Sequence, residues 1–183
     1  MANAQKIILD LCGGSGAWSM PYKIAGYDVR LVTLPEKDVF TYKPPANVYG
    51  ILAAPPCTEF SKAKGSHPRD FENAMRIVKA CLNIVWLCRL RNPLAFWCLE
   101  NPVGFLRQFL GKPPLTIEHW WYGADIKKPT DLWGYYNFPK QQYFEPPELF
   151  RNLSLTYNWD NKASERNAVT PSDFANAFFK ANP

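Results

Sequence analysis

The sequence predicts one α/β domain in which helices cover a mostly parallel sheet in three layers, and three observations carry that prediction. A short apolar run at 6–12 (KIILDLC) opens onto a glycine-rich loop. A second buried run at 48–54 (VYGILAA) ends at Pro55-Pro56. Between 70 and 91 lies the one long stretch of helical periodicity, followed by a strand-like run at 94–99 (LAFWCL). Strand and helix alternate along the chain, which implies parallel strands joined by crossovers, with ligands received beyond the strand carboxyl ends.

The elements follow in order. After the first strand, Gly13, Gly14 and Gly16 turn the chain into a short helix, and a second strand is expected near 28–34. The prolines that end the third strand leave Cys57 in the loop beyond it. In the long helix Phe71, Met75, Val78, Cys81, Leu82 and Val85 recur at spacings of three and four. Asn92-Pro93 stops it, and the fourth strand then delivers Glu100 at its carboxyl end, so Asp10, Cys57 and Glu100 should share one sheet edge. The stretch 111–165 is rich in Pro, Trp, Tyr and Phe without a long period, and reads as an irregular aromatic and basic insertion of short strands and loops, not as an independent domain. A last helical face appears at 171–180, with Pro171 suited to its first turn. Residues 1–183 therefore read as a single domain.

Composition narrows the function classes. Of 183 residues, 47% are hydrophobic and 20% charged, which suits a packed core and excludes a disordered chain. The net charge of +5 favours an anionic partner without demanding one. Apolar runs are broken well before the roughly 20 residues that a membrane span requires. The first residues pass straight from a polar lead to a strand, so neither export nor membrane attachment is expected. Five cysteines without a CxxC spacing suggest a reducing compartment and no structural zinc, and His67 and His119 stand alone, so no metal is expected.

Three places can carry chemistry, and each has a plain structural alternative. The small residues of DLCGGSG let backbone amides approach a ligand, with Asp10 accepting hydrogen bonds, or they simply make a tight turn. No GxGxxG follows, which argues against NAD or FAD. Cys57, in a loop stiffened by two prolines, is a candidate nucleophile or a small buried hydrophobe. Glu100 ends a buried strand and must be paired, serve a ligand, or cap a helix starting near Pro102. Cys81, Cys88 and Cys98 fit packing roles.

The order of these pieces resembles the DNA cytosine-5 methyltransferases. The residues that carry the resemblance are the Asp10–Gly16 loop, then Ala54-Pro55-Pro56-Cys57-Thr58-Glu59-Phe60-Ser61, then Leu99-Glu100-Asn101-Pro102. Tyr122-Gly123 with Ile126-Lys127-Lys128 looks like a degenerate form of that family's Tyr-Gly and basic segment, and Arg166-Asn167-Ala168-Val169 with Pro171 looks like its carboxyl-terminal segment. The resemblance implies the Rossmann-like fold of methyltransferases that use S-adenosylmethionine. It places the cofactor against Asp10, Cys12, Gly13, Gly14, Gly16, Trp18 and Pro55, with Asp38 and Val39 at the adenine and Asn167 and Val169 returning to the pocket. It implies that Cys57 attacks C6 of cytosine while Glu100, aided by Lys128, binds the pyrimidine edge and activates C5.

Ser61, Lys62, Lys64, Lys127 and Lys128 are then the expected nucleic-acid contacts, within a wider basic and aromatic stretch at 112–143. Cys12 stands where the family has an aromatic residue, for which Trp18 is the substitute, and no acidic residue directly follows the second strand. The segment 129–165 is too short for a large target-recognition domain, which points to single-stranded or distorted DNA, a nucleotide, or a protein partner that supplies recognition. The expected setting is the cytoplasm of a bacterial or phage-infected cell. Two rival expectations remain on the same residues: a non-catalytic methyltransferase-like binding or regulatory protein, viral or defence-related, and a nucleotide enzyme that delivers another one-carbon group.

Overall fold

A computed structural model describes residues 3–151 and 169–183. Its centre is one six-stranded sheet of β1 (Ile7–Leu11), β2 (Asp28–Val32), β3 (Val48–Ala53), β4 (Phe96–Pro102), β5 (Leu115–Glu118) and β6 (Pro129–Tyr135), in the order β2-β1-β3-β4-β6-β5. The first four strands are parallel, and β6 and β5 close the sheet with antiparallel pairings. The fold is thus α/β with a mostly parallel mixed sheet. The chain moves outward from β1 to β2 and then crosses back to β3, so its direction reverses at the β1/β3 boundary, where open α/β sheets leave a crevice at the strand ends.

Alternation along the strands sorts the core onto two faces. Ile7, Leu9 and Leu11 of β1, Ile51 and Ala53 of β3, and Leu99 of β4 pack against α2 (Phe71–Arg91) through Ala74, Val78, Cys81, Val85 and Cys88. Ile8, Leu52, Phe96 and Cys98 face the other way. There they meet Tyr22 of α1 (Met20–Ile24) and Phe174 and Phe178 of the closing helix, α5 (Ser172–Ala181). Two short helices, α3 (Leu106–Leu110) and α4 (Glu148–Arg151), lie between. Helix α2 begins where expected because the Asp70 carboxylate accepts from Asn73 N at 2.9 Å, and it ends with Arg89 and Arg91 in its last turn, where cations oppose the helix dipole. Among the described residues no helix is long and apolar enough to cross a membrane.

Two features differ from the sequence expectation. The fourth strand runs through Glu100 to Pro102, so Glu100 lies inside a paired strand opposite Leu132. The stretch beginning at 111 supplies β5 and β6, which belong to the main sheet. Antiparallel β6 pairs closely with β4, and at Gly134 the two backbones allow no side chain. Gly134 has φ +141°, and a Cβ there would sit 2.1 Å from the Trp97 carbonyl oxygen. Gly134→Ala should therefore destabilise the fold by about 3 kcal/mol or more, a loss that chemical denaturation would measure.

Candidate functional site

A cavity of about 450 Å³ opens at the carboxyl ends of β1, β3 and β4. Asp10, Cys12, Gly13, Gly14 and Trp18 line one end, while Cys57, Glu100 and Lys128 line the other. Its size is that of a small-molecule site. The parallel register Leu11↔Ala53 and Ala53↔Leu99 brings the three strand exits level. A buried hydrogen bond from Asn101 Nδ2 to the Pro55 carbonyl, 3.0 Å, then ties the exit of β3 to β4.

At the first end Asp10 is wholly buried at the end of β1. Ser19 Oγ donates to its Oδ2 at 2.5 Å, whereas Oδ1 has no hydrogen-bond partner among the described residues. Desolvation is the main influence on this carboxyl group and pushes its pKa up to about 6, against the lowering effect of Ser19. Gly13 lies directly under the carboxyl, where a Cβ would fall 2.2 Å from Oδ1. Only glycine lets the loop pass there. Trp18 closes the wall, 2% exposed, with its ring edge-on to Phe178 at 5.3 Å and its Nε1 unpartnered among the described residues. A buried carboxyl oxygen and an indole N–H without partners among the described residues, beside a backbone that tolerates no side chain, fit a ligand that carries a cationic or N–H donor group for the carboxyl and an acceptor for the indole.

At the second end Cys57 follows the two prolines, and its carbonyl accepts from Phe60 N (3.0 Å) and Ser61 N (2.8 Å), which curls the loop. Arg69 fastens that loop by donating to the carbonyls of Glu59 (2.6 Å), Ser61 (2.9 Å) and Gly65 (3.0 Å), with its guanidinium over the Phe105 ring at 4.7 Å. Fully buried Phe60 anchors the loop from beneath. Burial pushes the Cys57 thiol up, nearby Glu100 adds to the rise, and Lys128 opposes it. Lys128 Nζ lies 3.7 Å from Glu100 Oε1, and both groups are largely covered. The Thr130 hydroxyl donates to the Lys128 carbonyl at 3.1 Å and meets His119 Nε2, also at 3.1 Å. His119 is buried against Phe174, and desolvation lowers its pKa to about 3, so the ring is neutral.

The structure gathers most of the residues singled out from sequence. Asp10, Cys12, Gly13, Gly14, Trp18, Pro55, Cys57, Ser61, Lys62, Glu100, Lys127 and Lys128 all border the cavity. Others are placed elsewhere. Gly16 forms the turn behind the loop, its N–H bonded to the Gly13 carbonyl at 2.9 Å. Lys64 is held by Glu59 at 2.5 Å. Val39 is not at the cavity: it is buried in the α2-side core, and the Asp38 carboxylate accepts from Phe40 N at 2.9 Å. The short link from β2 to β3 contains no helix; Val39 and Tyr42 of it pack into the α2-side core, while Leu34 and Phe40 are exposed. Val169 is 45% exposed, with neighbouring Thr170 on the cavity, and Asn167 lies outside the described residues. Ala54 and Thr58, part of the motif at 54–61, also line the cavity, and so does Val103, which only its position after Pro102 marked. Of the aromatics at 112–143, Tyr122 and Trp133 are core, while Tyr135 and Tyr143 are exposed.

No family model matches the chain, and no curated protein matches it.

The two ends give separable pH signatures. An acid whose pKa rises on folding is favourable to the fold when protonated, so stability falls as pH climbs from 3.8 through about 6. Relative to Asp10→Asn, the wild type should lose about 3 kcal/mol over that window, measured by urea denaturation across pH. At Cys57, Glu100→Gln removes a charge that raises the thiol pKa and Lys128→Met removes one that lowers it. The pH midpoint of Cys57 alkylation, followed by mass spectrometry, should move down in the first variant and up in the second.

Proposed function

We propose that the chain is a methyltransferase acting at C5 of cytosine in DNA, with S-adenosylmethionine as the methyl donor. The observation that carries the reading is the meeting of Cys57, Glu100 and Lys128 at one end of a cavity whose other end is the Asp10 and Gly13 loop. A thiol beside a carboxyl group and a lysine suits covalent activation of a pyrimidine, because C6 accepts a soft nucleophile and the ring then needs a proton shared at its edge.

The residues divide the work. Asp10 Oδ1 and Trp18 Nε1 would hold the donor's polar groups, with Cys12, Gly13 and Gly14 beneath and Pro55 alongside. The bound donor supplies an electrophilic methyl group. Cys57 Sγ adds to C6, losing its proton as the bond forms, since burial keeps it a thiol at rest. Glu100 hydrogen-bonds the N3 and N4 edge and Lys128 keeps that carboxyl group oriented. With the donor's sulfur–methyl bond broken and the methyl group on C5, the C5 proton would pass to water. The Cys57–C6 bond would break with its electrons returning to sulfur, and the proton that Cys57 gave up to water on attack would be taken back, restoring both the ring and the thiol.

Basic Lys62 and Lys127 rim the same cavity and suit phosphate contacts. An unpaired cytosine fits this chain better than one in a duplex. Extracting a stacked base costs a few kcal/mol and needs groups that fill the gap, and the stretch after Lys128 goes into β6 of the main sheet. A protein partner that opens the duplex would meet the same need.

A second reading has its own observation. Burial of Val39 removes the wall expected at the adenine, which favours a non-catalytic binding or regulatory protein built on this scaffold.

Tritium transfer from labelled S-adenosylmethionine to single-stranded DNA, duplex DNA and free cytosine nucleotides tests the proposal. Incorporation at C5, strongest on single strands and lowered about 1,000-fold or more by Cys57→Ala, is the expected result. No incorporation, together with no heat of cofactor binding, would leave the binding-protein reading.

A further inference from the structure

Cys12 and Cys81 were assigned no common role by their positions in sequence, yet they meet in the fold. Cys12 leaves β1 at φ +55°, the one non-glycine residue with positive φ among those described. That turn aims its side chain between the cavity, which it lines, and α2, where it packs against the core. Its Sγ lies 3.8 Å from Sγ of Cys81, which is fully buried on the sheet-facing side of α2. All five cysteines are free thiols. Only this pair has its sulfurs recorded in contact.

We infer that Cys12 and Cys81 form an oxidant-reactive dithiol that hydrogen peroxide converts into a disulfide, tying the floor of the cavity covalently to α2. The step balances. The Cys12 thiolate attacks the peroxide O–O bond, forming Cys12 sulfenic acid and releasing hydroxide, which takes up the proton that Cys12 gave up. The Cys81 thiol then displaces the sulfenic oxygen as water, and the S–S bond forms. Two thiols are oxidised by two electrons and one peroxide is reduced to two waters.

Geometry assigns the order of the two steps. Cys12 lines the cavity, while Cys81 is fully buried and does not. The pair shares a proton through the S···S contact, which favours the thiolate on Cys12 and leaves the thiol on Cys81; buried Asp10 and nearby Asp38 both oppose charge on Cys12, and the contact outweighs them. Cys57, the other cavity thiol, is pushed the opposite way by burial and Glu100. Peroxide entering the cavity therefore meets its reactive sulfur at Cys12. Closing the sulfurs to about 2.05 Å requires them to approach by less than the width of an atom.

The consequence lies at Asp10 and Gly13, which adjoin Cys12 in the chain. A bond to α2 draws the Cys12 sulfur out of the cavity wall and fixes the loop that lies under the Asp10 carboxyl. The inference does not depend on the reaction the cavity supports.

The test uses the full chain, reduced, freed of reductant and exposed to hydrogen peroxide. Remaining thiols are then alkylated in denaturant and the peptides are mapped. The expected product lacks two hydrogens and contains a Cys12–Cys81 linked peptide that dithiothreitol releases. With Cys81→Ser the link should vanish and Cys12 should become trappable by dimedone as a sulfenic acid. Cys12→Ser should leave Cys81 reduced under the same treatment, which keeps the test decisive if one variant folds poorly. Recovery of both residues as free thiols from the oxidised wild type would overturn the inference, as would a principal link through Cys57.

Discussion

The hydrogen bond from Asn101 Nδ2 to the Pro55 carbonyl is the constraint on which the arrangement of the site depends. Beyond Ala53, β3 pairs no further with β4; Ala54 N still donates to the Leu11 carbonyl at 2.9 Å, and the two prolines that follow supply no N–H with which to continue a ladder. The Asn101 amide takes over as a side-chain substitute for the next rung. It is fully buried, so the bond is not exchanged for water. The peptide before Cys57 is thereby held beside β4, and Glu100, one residue earlier in that strand, faces the same cavity. Cys57 and Glu100 share an edge because an asparagine completes the sheet where proline cannot.

The loop after Cys57 is set by a different economy. Arg69 donates to three carbonyls of the loop, and Glu59 both pairs with Lys64 and accepts from Asp70 N at 2.8 Å. These contacts link the loop to the start of α2, whose N-cap is that same Asp70. The loop that carries the thiol is consequently braced from both ends, by the sheet through Pro55 and by the long helix through Arg69 and Asp70. Preorganisation of this kind lowers the entropy lost when a substrate is gripped.

Much of this was legible in the sequence because the signals were local. The α2 stripe, the proline stop at 92–93, and the apolar runs at 6–12 and 48–54 each report a face or a boundary without reference to the rest of the chain. The edge position of Asp10, Cys57 and Glu100 followed from strand order alone. What escaped were the non-local choices. Antiparallel β6 is encoded by Gly134, whose role exists only beside Trp97. Val39 read as a ligand contact, but the short β2–β3 link brings it down onto the α2-side core, where its burial is worth more than exposure at a pocket. Cys81 read as helix core, which it is; that its sulfur also touches Cys12 depends on the left-handed turn at Cys12, and no periodicity reports such a turn.

The two ends of the cavity share one electrostatic logic. Asp10 and Cys57 are acids whose neutral forms are favoured by burial, and each faces a partner that limits the effect, Ser19 for one and Lys128 for the other. A cavity lined by acids whose charged forms burial disfavours carries a desolvation cost that a complementary ligand can relieve. At Asp10 the relief requires a donor or positive charge reaching Oδ1. The tight turn at Gly13 and the strand-end asparagine fix the two ends of the cavity: one lies under the Asp10 carboxyl, whose Oδ1 has no partner among the described residues, and the other holds the exit of β3 beside Glu100.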